Sequence, residues 1–286
     1  MRKRWVLRLF ALILVLALAF PVSAESEEKV VIVLDPGHGG LDSGISIEYD
    51  GQEVWESTLA LKIAAYCRDY LLEHYENVEV LLTREVDTKM SLEDRVEFAD
   101  LCDADYLLSI HLNGDDGYAR GALALVPRGK YRPDQAKAST RTAEACLAEL
   151  EALGMANLGT SVRLGTDRYA DGSYVDYFGI IRGCVKRNIP GIILEHGFLD
   201  NEKDYREFLS TEEKLAALGK ADALGLAKSL GLVERRIPSS AENGDTPFGD
   251  VQTGVWYYDD VTYVWENGLM QGPTEFTVAD ALHQRQ

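Results

Sequence analysis

Short aliphatic runs that end on a histidine or a glutamate recur along the chain and constrain its fold more than any other feature. After the first run, Val31–Leu34, the residues Pro36-Gly37 end the strand and turn the chain, so that His38 lies at a strand tip. A second run ends on His111 and a third on Glu195. Continuous aliphatic runs of this length are typical of strands that are buried on both faces, as in parallel sheets.

Helical patterns separate these strands. Apolar residues recur at helical spacing from Glu56 to about Tyr75, Ser91 is placed to cap a short helix, and the pattern over 134–153 predicts another. A capping box at Ser210-x-x-Glu213 begins a last helix, whereas the unpatterned segment 157–183 predicts a loop region. The alternation predicts an α/β fold with a twisted, mostly parallel (mixed) sheet flanked by helices.

The first 24 residues combine a basic start, an apolar stretch and the small residues Val22-Ser23-Ala24. This pattern is typical of a secretory signal peptide, and we expect cleavage after Ala24. An uncleaved anchor helix is the alternative, because the stretch is near the lower length limit of a membrane span. In both cases we expect the rest of the chain to be exported, and cleavage would leave it without a membrane attachment.

Charge and cysteine spacing exclude two classes of site. The formal net charge of −18 becomes more negative once the cations of residues 1–24 are removed, and a surface this acidic repels nucleic acid. The cysteines are far apart and form no CxxC pair, so they do not have the spacing of a metal site, and we expect free thiols. They are Cys67, Cys102, Cys146 and Cys184.

The composition changes after Leu232. Residues 233–247 are rich in turn formers and charges and predict a linker, whereas the chain from Phe248 onward is aromatic again. We therefore expect a signal peptide at 1–24, a principal domain at 25–232, the linker and a small segment at 248–286. That last segment is too short to hold much of a core alone.

Four side chains are candidates for a hydrolytic metal site. His38, Glu56 and His111 provide two imidazoles and one carboxylate, a known zinc ligand set that leaves a fourth position open for water. A second carboxylate, Glu195, would accept the proton of that water and pass it to a leaving amine. The separations match no compact motif such as HExxH, so spacing alone does not establish the site.

Each candidate site residue could also have a purely structural role. The histidines could be turn residues, Glu56 could simply favour its helix N-terminus, and Glu195 could pair with Arg182 or Arg187. Glu53 is a competing ligand three residues before Glu56.

Five sequence blocks resemble, in order, the zinc-dependent N-acetylmuramoyl-L-alanine amidases of the Amidase_3 type. The blocks are Leu34-Asp35-Pro36-Gly37-His38-Gly39-Gly40, Glu56-x-x-x-x-Leu61-x-Ile63-Ala64, Thr83-Arg84-x-x-Asp87 with Ser91-Leu92-x-x-Arg95, Ser109-Ile110-His111-x-Asn113, and Pro190-Gly191-Ile192-Ile193-Leu194-Glu195-x-Gly197-Phe198-x-x-Asn201. By position, the resemblance implies His38, Glu56 and His111 as ligands of one Zn²⁺ per catalytic domain, with Glu195 as the catalytic general base and acid.

The resemblance also implies the reaction. It implies hydrolysis of the amide between N-acetylmuramic acid and L-alanine in peptidoglycan, by a secreted enzyme at the cell wall or cell surface. Two alternatives are a zinc peptidase or carboxypeptidase that cleaves another bond of the wall peptide, and a non-catalytic wall-binding protein. The stretch between His111 and Glu195 predicts a strand, a helix and a loop, so we expect no inhibitory insertion there.

Two parts of the sequence differ from the families that they resemble. His196 replaces the threonine or other small residue usual in the family, and it either hydrogen-bonds near the site or fills space. Residues 248–286 resemble an incomplete, small α-helical S-layer homology module, with Phe248-Gly249-Asp250-Val251 and Glu266-Asn267-Gly268-Leu269 but with Val278 where that family has proline. This implies a secondary cell-wall polymer as a possible partner, and a non-binding tail is the alternative.

Overall fold

The computed structural model describes residues 29–235. The predicted signal peptide at 1–24, most of the linker and the predicted S-layer homology segment at 248–286 lie outside the described residues. Between residues 29 and 235, no helix is both long and apolar enough to cross a membrane.

Strands and helices alternate along the described chain. The strands are Val30–Pro36 (β1), Ser46–Tyr49 (β2), Gln52–Trp55 (β3), Val78–Leu82 (β4), Tyr106–Asn113 (β5), Ala122–Leu125 (β6), Asn157–Ser161 (β7), Leu164–Arg168 (β8), Tyr174–Asp176 (β9) and Gly191–Phe198 (β10). The helices are Glu56–His74 (α1), Leu92–Leu101 (α2), Pro133–Ala152 (α3), Gly179–Arg187 (α4), Glu202–Asp204 (α5) and Glu212–Leu230 (α6), with a π-helical turn at Tyr205–Leu209 before α6.

Six strands form one mixed sheet in the order β4-β1-β5-β10-β6-β7. The four strands from β4 to β10 are parallel, β6 is antiparallel to β10, and β7 is parallel to β6. The predicted α/β fold with a mostly parallel, mixed sheet is therefore confirmed for this part of the chain. Since β1, β5 and β10 are parallel neighbours, the three polar side chains predicted at strand ends come to one edge of the sheet.

Helices cover both faces of the sheet. Alternate strand residues such as Ile32, Leu108 and Leu194 belong to the larger core cluster, which includes residues of α1, α3 and α6. Their neighbours in sequence, such as Val33 and Leu107, face a second cluster with residues of α2 and α4. Burial on both faces explains why the strands read as continuous aliphatic runs in the sequence.

Two predictions about local structure are wrong. Segment 157–183 is not a loop region, because it contains β7, β8, β9 and the start of α4. Strands β7 and β8 are short and mostly exposed, so they carry no buried alternation that sequence could reveal, and β9 has only three residues. Helix α6 is capped by Thr211, whose side chain accepts from the Lys214 amide, because Ser210 has helical backbone angles at the end of the preceding turn.

Two other local predictions are confirmed. Ser91 caps α2 in a capping box with Asp94. The four cysteines are free thiols. The hairpin of β2 and β3, which precedes α1 directly, was not anticipated.

Candidate active site

The end of β1 places His38 in a tightly held turn. The backbone φ of His38 is +58°, in the left-handed region that non-glycine residues seldom occupy. Its Nδ1 lies 3.0 Å from Oδ1 of Asp42, and the Asp42 carboxylate also accepts the Gly44 amide. A carboxylate on the far nitrogen of an imidazole fixes the orientation of the ring, which leaves Nε2 directed toward α1.

Two buried arginines hold the backbone of the turn at His38. Arg95 donates to the carbonyls of Pro36 and His38, and Arg84 donates to the carbonyl of Gly37. Three successive carbonyl groups are thus fixed by guanidinium groups, which carry several donors in a rigid planar arrangement. This contact explains why blocks around Arg84 and Arg95, far from His38 in sequence, belong with the site.

Glu56 occupies the first turn of α1 and is almost completely buried, with 2% of its surface exposed. Oε2 accepts the Ile45 amide at 3.0 Å, and Oε1 accepts the Leu112 amide at 3.1 Å. The second of these donors follows His111 directly in β5, so the bond fixes Glu56 beside the second histidine. A helix N-terminus further favours an anion at this position.

The two histidines converge on one oxygen of Glu56. His38 Nε2 lies 3.1 Å and His111 Nδ1 lies 2.9 Å from Glu56 Oε1, and the rings meet edge to face with centroids 4.9 Å apart. All three donor atoms lie within 4.8 Å of one another. Atoms bound to one tetrahedral zinc ion at about 2.0–2.1 Å are roughly 3.3 Å apart, so this set fits a divalent metal.

Two glycines make this convergence possible. A Cβ atom at Gly37 would lie 2.3 Å from the ring of His111, and one at Gly44 would lie 2.4 Å from Glu56 Oε2. Gly44 also has a φ of +65°. Any side chain at these positions would displace a candidate ligand, and the sequence pattern flagged only the first of the two glycines.

Contacts among the three groups shift the pKa values of Glu56 and His38 in opposite directions. Burial by itself raises the pKa of Glu56, but hydrogen bonds and charge from His111 and His38 outweigh it and hold that pKa well below its ordinary value. For His38, burial lowers the pKa, and contacts with Glu56 and Asp42 raise it above the usual range. An anion between two imidazoles is the charge pattern of a site for a cation.

Glu195 lies on the neighbouring strand, opposite His111 in the parallel register. Paired residues of adjacent strands direct their side chains to the same face, about 4.7–4.9 Å apart along the hydrogen-bonding direction. Oε2 of Glu195 is buried and has no hydrogen-bond partner among residues 29–235. Burial raises the pKa of Glu195 above its ordinary value. Such a carboxylate is suited to proton transfer.

The structure does not bring the alternative partners to this site. Glu53 lies on the exposed hairpin, where it accepts from the Ser46 hydroxyl. Arg187 pairs with Glu93 and Asp100 instead of Glu195. Arg182 donates to backbone carbonyls near the end of β9.

Two groups near the site were not identified as functional from sequence. Asp42 could have been found, since it lies four residues after a candidate histidine, and metal-binding histidines commonly have a carboxylate partner. Asp222 could not have been found, because α6 brings it to the site from 26 positions beyond His196. The hydrogen-bonding reading of His196 is confirmed by its contacts with Asp222 and with the His111 carbonyl.

A family profile described as N-acetylmuramoyl-L-alanine amidase, Amidase_3, matches residues 32–228. Among curated relatives, the sporulation-specific N-acetylmuramoyl-L-alanine amidase of Bacillus subtilis is 30% identical over 194 residues, which cover 68% of this chain and 66% of the relative. The amidase AmiA of Escherichia coli is 43% identical over 112 residues, 38% of this chain and 37% of the relative. The matched part of the chain thus spans less than two thirds of the length of either protein.

Solved structures give the same result for the fold. The catalytic domain of the amidase CwlV from Bacillus (Paenibacillus) polymyxa superposes with a TM-score of 0.56 at 25% identity, covering 71% of this chain and 99% of that domain. Cwp6 from Clostridium difficile gives a TM-score of 0.61 at 27% identity over 72% of this chain and 30% of that protein. The range that the family profile matches, 32–228, contains His38, Glu56, His111 and Glu195.

Proposed function

Because the chain belongs to the N-acetylmuramoyl-L-alanine amidase family, Amidase_3, we propose that it hydrolyses the amide between N-acetylmuramic acid and L-alanine in peptidoglycan. The observation that carries the proposal is the convergence of His38, Glu56 and His111 within 4.8 Å, a group that could bind a metal ion. Members of this family act on the cell wall outside the cytoplasm, which agrees with the predicted export and a location at the cell wall or cell surface.

We propose that His38, Glu56 and His111 bind one zinc ion. A zinc ion in such a site lowers the pKa of a water molecule toward 7 and polarises the carbonyl of the scissile amide. Asp42 orients the His38 ring through its Nδ1, and backbone amides hold the Glu56 carboxylate. The same ligand set accepts other divalent ions in the Irving–Williams order, so metal analysis of the purified protein tests this assignment.

Glu195 is proposed as the general base and acid. It accepts the proton that the attacking water loses and donates it to the amine of the departing L-alanine residue. Its position opposite His111 and its unpartnered Oε2 support this role. The raised pKa of Glu195 also supports it, because a carboxyl group that returns a proton to an amine must bind that proton more tightly than an ordinary glutamate does.

Product analysis separates this activity from the zinc peptidase alternative. Digestion of purified peptidoglycan should release peptides with a new N-terminal L-alanine, and cleavage within the stem peptide would contradict the proposal. Activity should disappear after exhaustive chelation and return when zinc is added. The variants His38→Ala and His111→Ala should bind no zinc, with His74→Ala, at the opposite end of α1 from Glu56, as the matched control.

The domain arrangement stays a proposal. We infer a catalytic domain at 25–232, a linker at 233–247, and a segment at 248–286 that binds a secondary cell-wall polymer. A chain that ends at Leu232 should keep its specific activity on soluble fragments and be retained less by purified walls than the full chain. Equal retention of both chains would indicate that residues 248–286 are a non-binding tail.

A further inference from the structure

The ladder between β10 and β5 is irregular next to the candidate active site. Glu195 pairs with His111, but the next pair is Phe198 with Asn113, so β10 contains one more residue than β5 in this interval. Gly197, within the irregularity, has a φ of +92°. A bulge of this kind interrupts the ladder and redirects a side chain, and it commonly occurs beside active sites.

His196 lies at the start of this irregular interval and is completely buried. Its Nδ1 lies 3.2 Å from the carbonyl oxygen of His111. Its Nε2 lies 2.9 Å from both carboxylate oxygens of Asp222, which is also completely buried. A carbonyl oxygen only accepts hydrogen bonds, so Nδ1 donates to His111, while Nε2 and the Asp222 carboxyl group share a second hydrogen bond, and the ring thereby links α6 to β5.

Stability does not explain such a pair. Two polar groups with no exposure have lost their hydration, and well-packed apolar residues in place of a buried ionic pair are often neutral or stabilising. What an apolar pair cannot supply is a hydrogen bond to the carbonyl of one particular residue. That residue is His111, a candidate ligand, and the neighbour of His196 in sequence is Glu195.

We propose that His196, oriented by Asp222, is a positioning residue that fixes the His111 backbone and with it the direction of the His111 ring. Helix α6 also packs against α1, which carries Glu56. Through the Asp222–His196 contact and this packing, α6 fixes the positions of both His111 and Glu56. The same contact holds Glu195, the neighbour of His196, in register with them. The inference rests on the proposed function only for the metal that His111 binds, since the hydrogen bonds exist without it.

A matched pair of substitutions tests the proposal. The amide nitrogen of asparagine takes roughly the place of histidine Nδ1, and that of glutamine the place of Nε2. His196→Asn keeps the donor to the His111 carbonyl and loses the link to Asp222, whereas His196→Gln keeps the link and loses the donor. His74→Gln, at the opposite end of α1 from Glu56, is the control for substitution of a histidine elsewhere.

In the full chain, His196→Gln should lower zinc affinity and kcat on peptidoglycan by about 10- to 100-fold, the usual effect of losing a group that orients a ligand. KM should stay within about twofold, and His196→Asn should retain most of both quantities. In the metal-free protein, the amides of Leu112 and Asn113 should exchange faster in His196→Gln than in His196→Asn. The proposal would be overturned if both variants lost zinc affinity and kcat equally, in proportion to the fall in their melting temperatures.

Two further outcomes are informative. If the unsubstituted protein binds no zinc, the proposed function fails, and amide exchange at Leu112 still decides whether His196 positions this strand. If a His196 variant does not fold, Asp222→Asn replaces it, because an amide oxygen accepts a weaker hydrogen bond than a carboxylate does. Faster exchange at Leu112 in folded Asp222→Asn supports the proposal, and unchanged exchange refutes it.

Discussion

Two carboxylates lie on either side of β5, and their surroundings differ completely. Asp35 on β1 pairs in register with Ser109, and Glu195 on β10 pairs with His111, two residues further along the same strand. Asp35 is fully buried and accepts hydrogen bonds of 2.7 Å from Thr83, Arg95 and Ser109. Glu195 is partly accessible, and its Oε2 has no partner within the described range 29–235.

The difference separates a carboxylate with a structural role from the one that we propose as catalytic. Hydrogen bonds to both oxygens of Asp35 satisfy this buried carboxyl group and fix the strand ends to one another. No described residue donates to Oε2 of Glu195, burial raises the pKa of this carboxyl group, and Oε2 is the oxygen that we propose exchanges a proton with substrate. Substitutions at the two positions should therefore affect different quantities.

The largest effect on rate is expected from Glu195→Gln. Loss of a general acid and base should lower kcat on purified peptidoglycan by about 10²- to 10⁴-fold. The free energy of unfolding in urea should not fall, because the substitution removes a carboxylate whose buried Oε2 receives no hydrogen bond from residues 29–235. A variant that keeps kcat within twofold would show that Glu195 does not transfer the proton.

Asp35→Asn should lower the stability of the fold and leave kcat nearly unchanged, the opposite of Glu195→Gln. Arg95 would stay buried, with 3% of its surface exposed, after losing its anionic partner. Breaking a buried ion pair in this way costs about 3–5 kcal/mol of unfolding free energy. The folded fraction, measured by urea unfolding and active-site titration, should hydrolyse substrate with kcat within a few-fold of the parent chain. A loss of kcat without a loss of stability would contradict the distinction.

Ser109→Ala should have a smaller effect on stability. The hydroxyl of Ser109 is the donor to Oδ2 of Asp35, and neither group is exposed. A hydrogen bond to a charged group contributes about 1.5–3 kcal/mol, and equilibrium unfolding should show a loss in that range. Zinc affinity serves as the control and should not change, although the substitution lies two residues before His111.

The smallest effect is expected from Ser91→Ala. This change removes the cap of α2, the helix that carries Arg95 to Asp35, and should cost about 1 kcal/mol of unfolding free energy. Thr211→Ala, which removes the cap of α6, is a matched comparison on the opposite face of the sheet. A loss of kcat in the folded Ser91→Ala protein would show that α2 does more than support the turn at His38.

Sequence predicted the elements that have a strong period or a continuous apolar run. Strands β1, β5 and β10 and helices α1 and α3 are of this kind, because burial of a whole face leaves a pattern in the residues. The exposed strands β7 and β8 leave no such pattern, since pairing with other strands determines them. The cap of α6 was also missed because of a non-local feature. A π-helical turn ends at Ser210 and gives it helical backbone angles, so the cap is Thr211.

The residue types at the site were contained in the sequence. Aliphatic runs that stop at His38, His111 and Glu195 imply polar groups at the ends of parallel strands, and such ends meet at one edge. Only the tertiary structure distinguished the surroundings of the structural carboxylate from those of the proposed catalytic one. Asp35 and Glu195 both end buried runs in the sequence, but long-range contacts supply donors to the first and none of the described residues donates to Oε2 of the second. The same holds for His196, whose partner Asp222 reaches it only after α6 packs on the sheet.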